Sequence, residues 1–383
     1  MKAILPNNET TLAKTIGFLR RGYSKVGGAE VYLKRLARGL LEQGYRVLLL
    51  NDGAWPKEDW PGGETIFFPQ KGCSSLAQEA LELKRRGIVD LLFSLERIPG
   101  CDLFRAGDGV HAAWLKHRQE REPAWKSFFT SLSPHHRRLL ALERKLFSPN
   151  STTRIIANSS MVAQEIENHF HFPADRISII PNGVPPKPLL TMEERHAARE
   201  ALGIKPGEFI LLFVGSGWKR KGGAIALEVL KQIEQEEGGE NLHLWIVGKG
   251  TPQKSFSQRI RFWGATANIE PLYRAADLFI LPTLYDPFSN ASLEALLFGL
   301  PVITTAFNGC AEILKEGVHG SVMKNPNDVE AFRKAVLHWQ RRLESDEQSV
   351  LRAACHQRAL SLDMELNLKR TRELIEQVLQ EKR

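Results

Sequence analysis

The sequence predicts an α/β protein built from two Rossmann-like domains with parallel sheets, and three observations carry that expectation. Short apolar runs alternate with amphipathic helical stretches along the chain, which is the pattern of βαβ units. A dense cluster of turn residues, Pro181-Asn182-Gly183-Val184-Pro185-Pro186, interrupts the alternation near the middle and reads as a hinge. The length of 383 residues exceeds what one ordinary core organises.

The elements follow in order. Residues 15–19 (TIGFL) form the first strand, and Val31, Leu36, Leu40 and Leu41 mark one face of the helix after it. Further strands are expected at 47–50, 89–94, 154–157 and 177–180. Beyond the hinge the alternation restarts at 209–214, continues through a helix after Lys221, and runs on through strands at 242–247, 278–281 and 302–304. The stretch 345–383 is helical in pattern, with Leu374, Ile375, Val378 and Leu379 on one face. The expected domains are therefore 1–184 and 185–361. In open α/β sheets ligands bind beyond the carboxyl ends of the strands, so two such domains facing each other place the site in the cleft between them.

Composition is globular, with 43% hydrophobic and 25% charged residues and no fixed-period repeat. No apolar run approaches the roughly 20 residues of a membrane span, and the first 15 residues lack the apolar core of a signal peptide. A cytoplasmic protein is expected. Cys73, Cys101, Cys310 and Cys355 are far apart in sequence, which argues against a disulfide framework or a cysteine metal site. The net charge of +8 is concentrated in residues 1–185, which hold 26 Lys and Arg against 19 Asp and Glu. Residues 105–154 contribute ten of those cations: Arg105, Lys116, Arg118, Arg121, Lys126, Arg137, Arg138, Arg144, Lys145 and Arg154, interleaved with Trp114, Trp125, Phe128 and Phe129. Cations mixed with aromatic rings suit an anionic membrane surface, although a solvated helical face with its rings in the core has the same composition. No nucleic-acid module is recognisable, so a nucleic-acid partner is not expected.

The most informative segment is Asp286-Pro287-Phe288-Ser289-Asn290-Ala291-Ser292-Leu293-Glu294, followed by Gly299-Leu300-Pro301 and the β-branched run from Val302. Two carboxylates separated by seven residues flank the start of a helix. Its first amides can hold a diphosphate, while Glu294, one turn in, can accept hydrogen bonds from sugar hydroxyls. The segment resembles the E-x7-E motif of retaining GT-B glycosyltransferases of family 4, the group that contains the lipopolysaccharide core glucosyltransferases. Asp286 stands where the first Glu is usual and is one methylene shorter. The resemblance implies a GT-B fold whose last helix, about 362–383, packs back onto the N-terminal domain.

Other segments fit the same family. Strand 209–214 runs into Gly215-Ser216-Gly217-Trp218-Lys219-Arg220-Lys221-Gly222-Gly223. Glycines let the backbone approach a ligand, and the cations can neutralise a departing nucleoside diphosphate. By resemblance Arg220 and Lys221 grip the phosphates, and Ser216 occupies a place where many relatives carry Arg. A third glycine at position 220 would suggest a nicotinamide fingerprint, but that position is Arg, and no Walker loop is present. Near the N-terminus, Val26-Gly27-Gly28-Ala29-Glu30 resembles the family's glycine-rich first loop, which lies against the donor. Arg105-Ala106-Gly107-Asp108-Gly109-Val110-His111 resembles a segment in which an acidic residue sits near the reacting sugar. That likeness makes Asp108, His111 and Asp286 the catalytic candidates. Phe262-Trp263-Gly264 occupies the region where relatives hold the base.

The donor-binding candidates are therefore Gly27, Gly28, Ser216, Arg220, Lys221, Trp263, Phe288, Ser289, Asn290, Ala291, Ser292 and Glu294. The resemblance implies same-face attack without an enzyme nucleophile. With no D-x-D in the chain, no metal or other cofactor is expected. The implied reaction transfers a hexose from a nucleotide sugar of the UDP-glucose type to a lipid-linked or phosphorylated glycan at the inner face of the cytoplasmic membrane. A soluble or other envelope acceptor, a nucleotide-sugar-binding protein without turnover, and a nicotinamide oxidoreductase are the alternatives.

Overall fold

The computed structural model describes residues 13–23, 28–53, 55–68, 73–120, 133–151, 153–236, 239–250, 257–266 and 268–382. Among these residues, thirteen strands lie in two sheets. The first holds β1 (Thr15–Leu19), β2 (Arg46–Asn51), β3 (Thr65–Phe67), β4 (Leu91–Ser94), β5 (Leu103–Arg105), β6 (Arg154–Ala157) and β7 (Ile177–Ile179), in the order β3-β2-β1-β4-β5-β6-β7. The second holds β8 (Phe209–Val214), β9 (Leu242–Val247), β10 (Ile260–Gly264), β11 (Leu278–Leu281), β12 (Val302–Thr305) and β13 (Gly320–Met323), in the order β10-β9-β8-β11-β12-β13. The strand pairings with a resolved register are parallel, and the architecture is α/β with two Rossmann-like sheets.

Strands buried on both faces should read as continuous apolar runs. β1 and β8 do so, with TIGFL wholly buried and FILLFV buried up to its last residue. Four strands escape the sequence reading. β3 is a partly exposed edge strand of three residues, and β5 is equally short. β10 and β13 close the two edges of the second sheet and carry Arg261, Gly264, Gly320 and Ser321, residues that depress strand propensity.

The chain divides into two compact units. One comprises residues up to Arg105, Asn150–Ile155 and Arg370–Arg383; the other comprises Ala106–Pro149 and Ile156–Lys369. In the first, Ile16, Phe18, Leu33, Leu36, Leu49 and Phe93 are buried in the interior. The end of the helix Met364–Glu381 belongs here: the Tyr32 and Thr371 hydroxyls lie 3.1 Å apart, and Lys382 reaches Asp102 at 2.7 Å. Arg105 is buried with its guanidinium 4.3 Å from the Tyr32 ring centroid. It is therefore not a surface cation.

The second unit is organised around the β8–β13 sheet, with Phe213, Phe279, Phe332 and Trp339 fully buried. Its strand order reverses direction between β8 and β11, and the loops beyond the carboxyl ends of these two neighbours flank the switch point where open α/β sheets bind ligands. Among the described residues, no helix is long and apolar enough to cross a membrane. Cys101, Cys310 and Cys355 are buried thiols.

Candidate active site

The loop after β8 folds onto the loop after β11. Gly222, at φ 76°, takes the left-handed conformation that starts the helix Gly223–Ile233, and a Cβ there would lie 1.9 Å from the Pro282 carbonyl oxygen. Glycine is thus required both by backbone conformation and by space. The Arg220 carbonyl accepts from the Leu284 amide at 2.8 Å and the Thr283 hydroxyl at 3.0 Å, and the Arg220 guanidinium donates to the Tyr285 carbonyl at 2.8 Å. Lys221, one residue on, forms an ion pair with Asp286, and both side chains are largely buried. These backbone ties place the two expected phosphate-binding cations beside the first carboxylate of the motif.

The helix Asn290–Leu297 begins as its sequence implies. Ser289 is its N-cap, accepting from the Ser292 amide at 3.2 Å. The fully buried Asn308 pins this turn: its Oδ1 accepts from the amides of Ser289 and Cys310, each at 3.1 Å, and its Nδ2 donates to Ser292 Oγ at 3.3 Å and Thr304 Oγ1 at 3.0 Å. The amides of 289 and 292 are therefore already engaged. Those of Asn290 and Ala291 have no partner among the described residues. Asn290 is exposed, with its side-chain oxygen 2.7 Å from Asn182 Nδ2, whereas Phe288 is part of the unit's hydrophobic core.

Glu294 sits in a different environment from Asp286. Its Oε2 accepts from the Tyr273 hydroxyl at 3.0 Å, and burial raises its pKa, opposed by the Tyr273 hydrogen bond and the Lys187 charge. The Tyr273 phenol is pushed well above its ordinary range by its own burial and by the Glu294 charge. Tyr273 thus donates and Glu294 accepts.

Asp108 and His111 come from the same unit. Asp108 is exposed in a loop whose Gly109, at φ 69°, lies so close to Tyr285 that a Cβ would sit 2.3 Å from the tyrosine hydroxyl and 2.7 Å from Pro287. The Val110 amide donates to Tyr285 Oη at 2.9 Å, and that hydroxyl donates to Glu165 at 2.6 Å. The Asp108 loop is therefore packed directly on the Asp286 loop. His111 begins the helix His111–Gln119, which the fully buried Glu143 caps by accepting from the amides of His111 at 2.6 Å and Ala112 at 3.1 Å. Its ring Nε2 lies 3.0 Å from His136 Nδ1.

Other candidates stand apart. Ser216 Oγ accepts from the Lys249 amide at 3.3 Å. Trp263 is on β10, two strands from β8, packed edge-on to Trp245 at 5.1 Å and covered by the Arg261 guanidinium at 3.8 Å. Gly28, in the other unit, opens the helix Gly28–Glu42, and Gly27 lies outside the described residues. Of the basic aromatic stretch, Lys116, Arg137, Arg138, Arg144 and Lys145 are exposed, whereas Arg154 pairs with Glu381 and the Trp114 ring lies 6.2 Å from that of Tyr285. Residues 121–132, with Arg121, Trp125, Lys126, Phe128 and Phe129, are outside the described residues. Among the described residues, no three His, Cys, Asp or Glu side chains are placed to hold a metal ion. Tyr273, Tyr285 and Asn308 were not singled out from sequence. Tyr273 stands in an ordinary helical apolar spacing, and the roles of the other two arise only from tertiary packing.

Comparison with known proteins agrees with this geometry. Residues 26–187 match Glycosyltransferase Family 4, and residues 208–341 match the glycosyl transferases group 1. The lipopolysaccharide glucosyltransferase WaaG of Escherichia coli K12 is 25% identical over 339 residues, covering 84% of this chain and 88% of the relative. The crystal structure of WaaG, a glycosyltransferase involved in lipopolysaccharide biosynthesis, superposes with a TM-score of 0.78 at 22% identity, over 94% of this chain and 99% of that one. Anabaena Alr3699/HepE, solved in complex with UDP-glucose, gives a TM-score of 0.69 at 18% identity, over 95% and 99% of the two chains. With residues 26–187 matching one glycosyltransferase model, residues 208–341 matching another, and a structural neighbour along nearly its whole length, the chain is a glycosyltransferase with the GT-B fold that resembles the lipopolysaccharide core glucosyltransferases.

Proposed function

We propose that this enzyme is a retaining, metal-independent hexosyltransferase that takes its sugar from UDP-glucose and adds it to a lipid-linked, phosphorylated glycan such as the lipopolysaccharide core. The observation that carries the reading is the juxtaposition of Lys221 with Asp286, beside a helix N-terminus whose Asn290 and Ala291 amides have no partner among the described residues. A dianionic diphosphate is the ligand such cations and amides would receive. The name of the Escherichia coli relative and the UDP-glucose complex of the Anabaena neighbour favour the donor and the acceptor class.

In this reading the acceptor hydroxyl attacks the anomeric carbon on the face from which UDP departs. The C–O bond to the diphosphate breaks as the new glycosidic bond forms, and a diphosphate oxygen takes the hydroxyl proton. Arg220, Lys221 and the two amides stabilise the charge that develops on the leaving group. Asp108, exposed beside the Asp286 loop, contacts sugar hydroxyls, and His111 positions the acceptor. The exposed cations Lys116, Arg137, Arg138, Arg144 and Lys145 attract the phosphorylated acceptor and the inner face of the cytoplasmic membrane. The test is glucose transfer from UDP-glucose to purified lipopolysaccharide core, with the anomeric configuration read by NMR and with flotation on anionic vesicles at low and high salt. Transfer with retention, and flotation lost at high salt, are expected. Inversion, or the absence of UDP-glucose turnover, would refute the proposal.

A further inference from the structure

We propose that Tyr273 is a positioning residue for Glu294: its phenol fixes one carboxylate oxygen so that the other is presented to the hydroxyls of the donor. The inference rests on the donor reading above. Glu294 lies on the helix Asn290–Leu297 among the buried Leu293, Ala295, Leu296 and Leu297. A part-buried carboxylate in such surroundings takes much of its geometry from protein partners. Among the described residues Oε2 has Tyr273, and Oε1 has no partner. The tyrosine is itself held firmly. It projects from the neighbouring helix Glu270–Ala275, is 1% exposed, and stacks on Phe298 with ring centroids 5.5 Å apart and planes 3° from parallel. Phe298 directly follows the helix that carries Glu294, so stack and hydrogen bond fasten the phenol to one helix at two points.

The Tyr273 oxygen also lies 3.2 Å from the Ala291 carbonyl. A phenol has one proton, and an ionised Glu294 is the stronger acceptor. When Glu294 is protonated, the phenol proton can pass to Ala291 instead, and the carboxyl loses its anchor. Among the described residues, the charged group that acts on Glu294 is Lys187, which is paired with Glu270 and stands over the Phe298 ring at 5.5 Å. Donor binding that requires ionised Glu294 therefore weakens as pH falls through the raised value of this group. Removing the phenolic hydroxyl raises that value further, so the same loss occurs at higher pH.

The experiment measures UDP-glucose affinity by titration calorimetry across about pH 5 to 8 for the full chain, Tyr273→Phe, Glu294→Gln and the double variant. Tyr273→Phe keeps the stack on Phe298. Its acid limb is expected to move up by about one pH unit, with binding roughly tenfold weaker near the limb and nearer to wild type above it. Glu294→Gln should bind weakly without that limb, and the double variant no more weakly than Glu294→Gln alone. A uniform loss of affinity with an unmoved limb would show a merely structural tyrosine and overturn the inference. If Glu294→Gln binds as tightly as wild type, or wild type does not bind UDP-glucose, the donor assignment itself fails. Should Tyr273→Phe not fold, 3-fluorotyrosine at position 273, a more acidic and stronger donor, should move the limb down, and an unmoved limb overturns the inference equally.

Discussion

The two ends of the carboxylate motif belong to one short segment, yet they are held in opposite ways. Asp286 faces the ammonium of Lys221 in a nearly closed ion pair, on loops joined by the Arg220 backbone. Glu294 faces the phenol of Tyr273 in an apolar setting that raises its pKa. The difference teaches that spacing in a sequence places two carboxylates but does not assign their chemistry. A carboxylate with a cation beside it fixes that cation; one with only a neutral donor and a more distant charge keeps an oxygen available and, when burial raises its pKa, is sensitive to pH.

The largest expected effect comes from removing the ammonium. Lys221→Ala leaves Asp286 buried and uncompensated, so stability should fall by about 3 kcal/mol, and the leaving group loses a cation, so kcat should fall roughly 100-fold. Denaturant melts and initial rates measure both. Lys221→Ala with Asp286→Ala should recover most of the stability and none of the rate; a double variant as unstable as the single one would show that the pair is not what holds these loops. A middling effect is expected at Tyr285→Phe. The Val110 amide and Glu165 lose their shared partner, and a buried donor left unsatisfied costs about 2 kcal/mol. Equilibrium unfolding reads the loss, and a change below a few tenths of a kcal/mol would mean that the Asp108 loop is held by other contacts. The smallest effect should follow Asp286→Glu, which restores the usual residue of the family motif. One added methylene in the closed pair should cost about 1 kcal/mol, the low end for a methylene added to packed surroundings. The KM for UDP-glucose is the sharper readout, and an unchanged value would place the Asp286 side chain away from the donor.

Most strands legible in sequence are those that have to be apolar, although the edge strand β7 is legible too from its Ile-Ser-Ile run despite the exposure of Ile179. TIGFL, FILLFV, LHLWIV and LFIL are central or next to central in their sheets, and burial on both faces leaves little room for polar residues. β3, β5, β10 and β13 were not legible, being short or carrying polar and glycine residues at sheet edges. A helix start between Asp286 and Glu294 and its end at the left-handed Gly299 could be read because helix termini are set locally. The environments of Ser292 and Phe288, both turned into the interior, could not. Nor could the burial of Arg105, which looks in sequence like one more cation of a basic stretch.

By itself, the sequence determined the α/β alternation, the start of a helix between Asp286 and Glu294, the glycines around Arg220 and Lys221, and the spacing of those two carboxylates. All of these follow from local backbone preference and from which residues can be buried. Tertiary structure alone decided that Lys221 meets Asp286, that Tyr273 meets Glu294, and that Gly109 brings the Asp108 loop against Tyr285. Those pairs are separated by 65, 21 and 176 residues: the adjacency of β8 and β11 in one sheet brings the first together, helix packing the second, and packing of the loop after β5 on the loop after β11 the third.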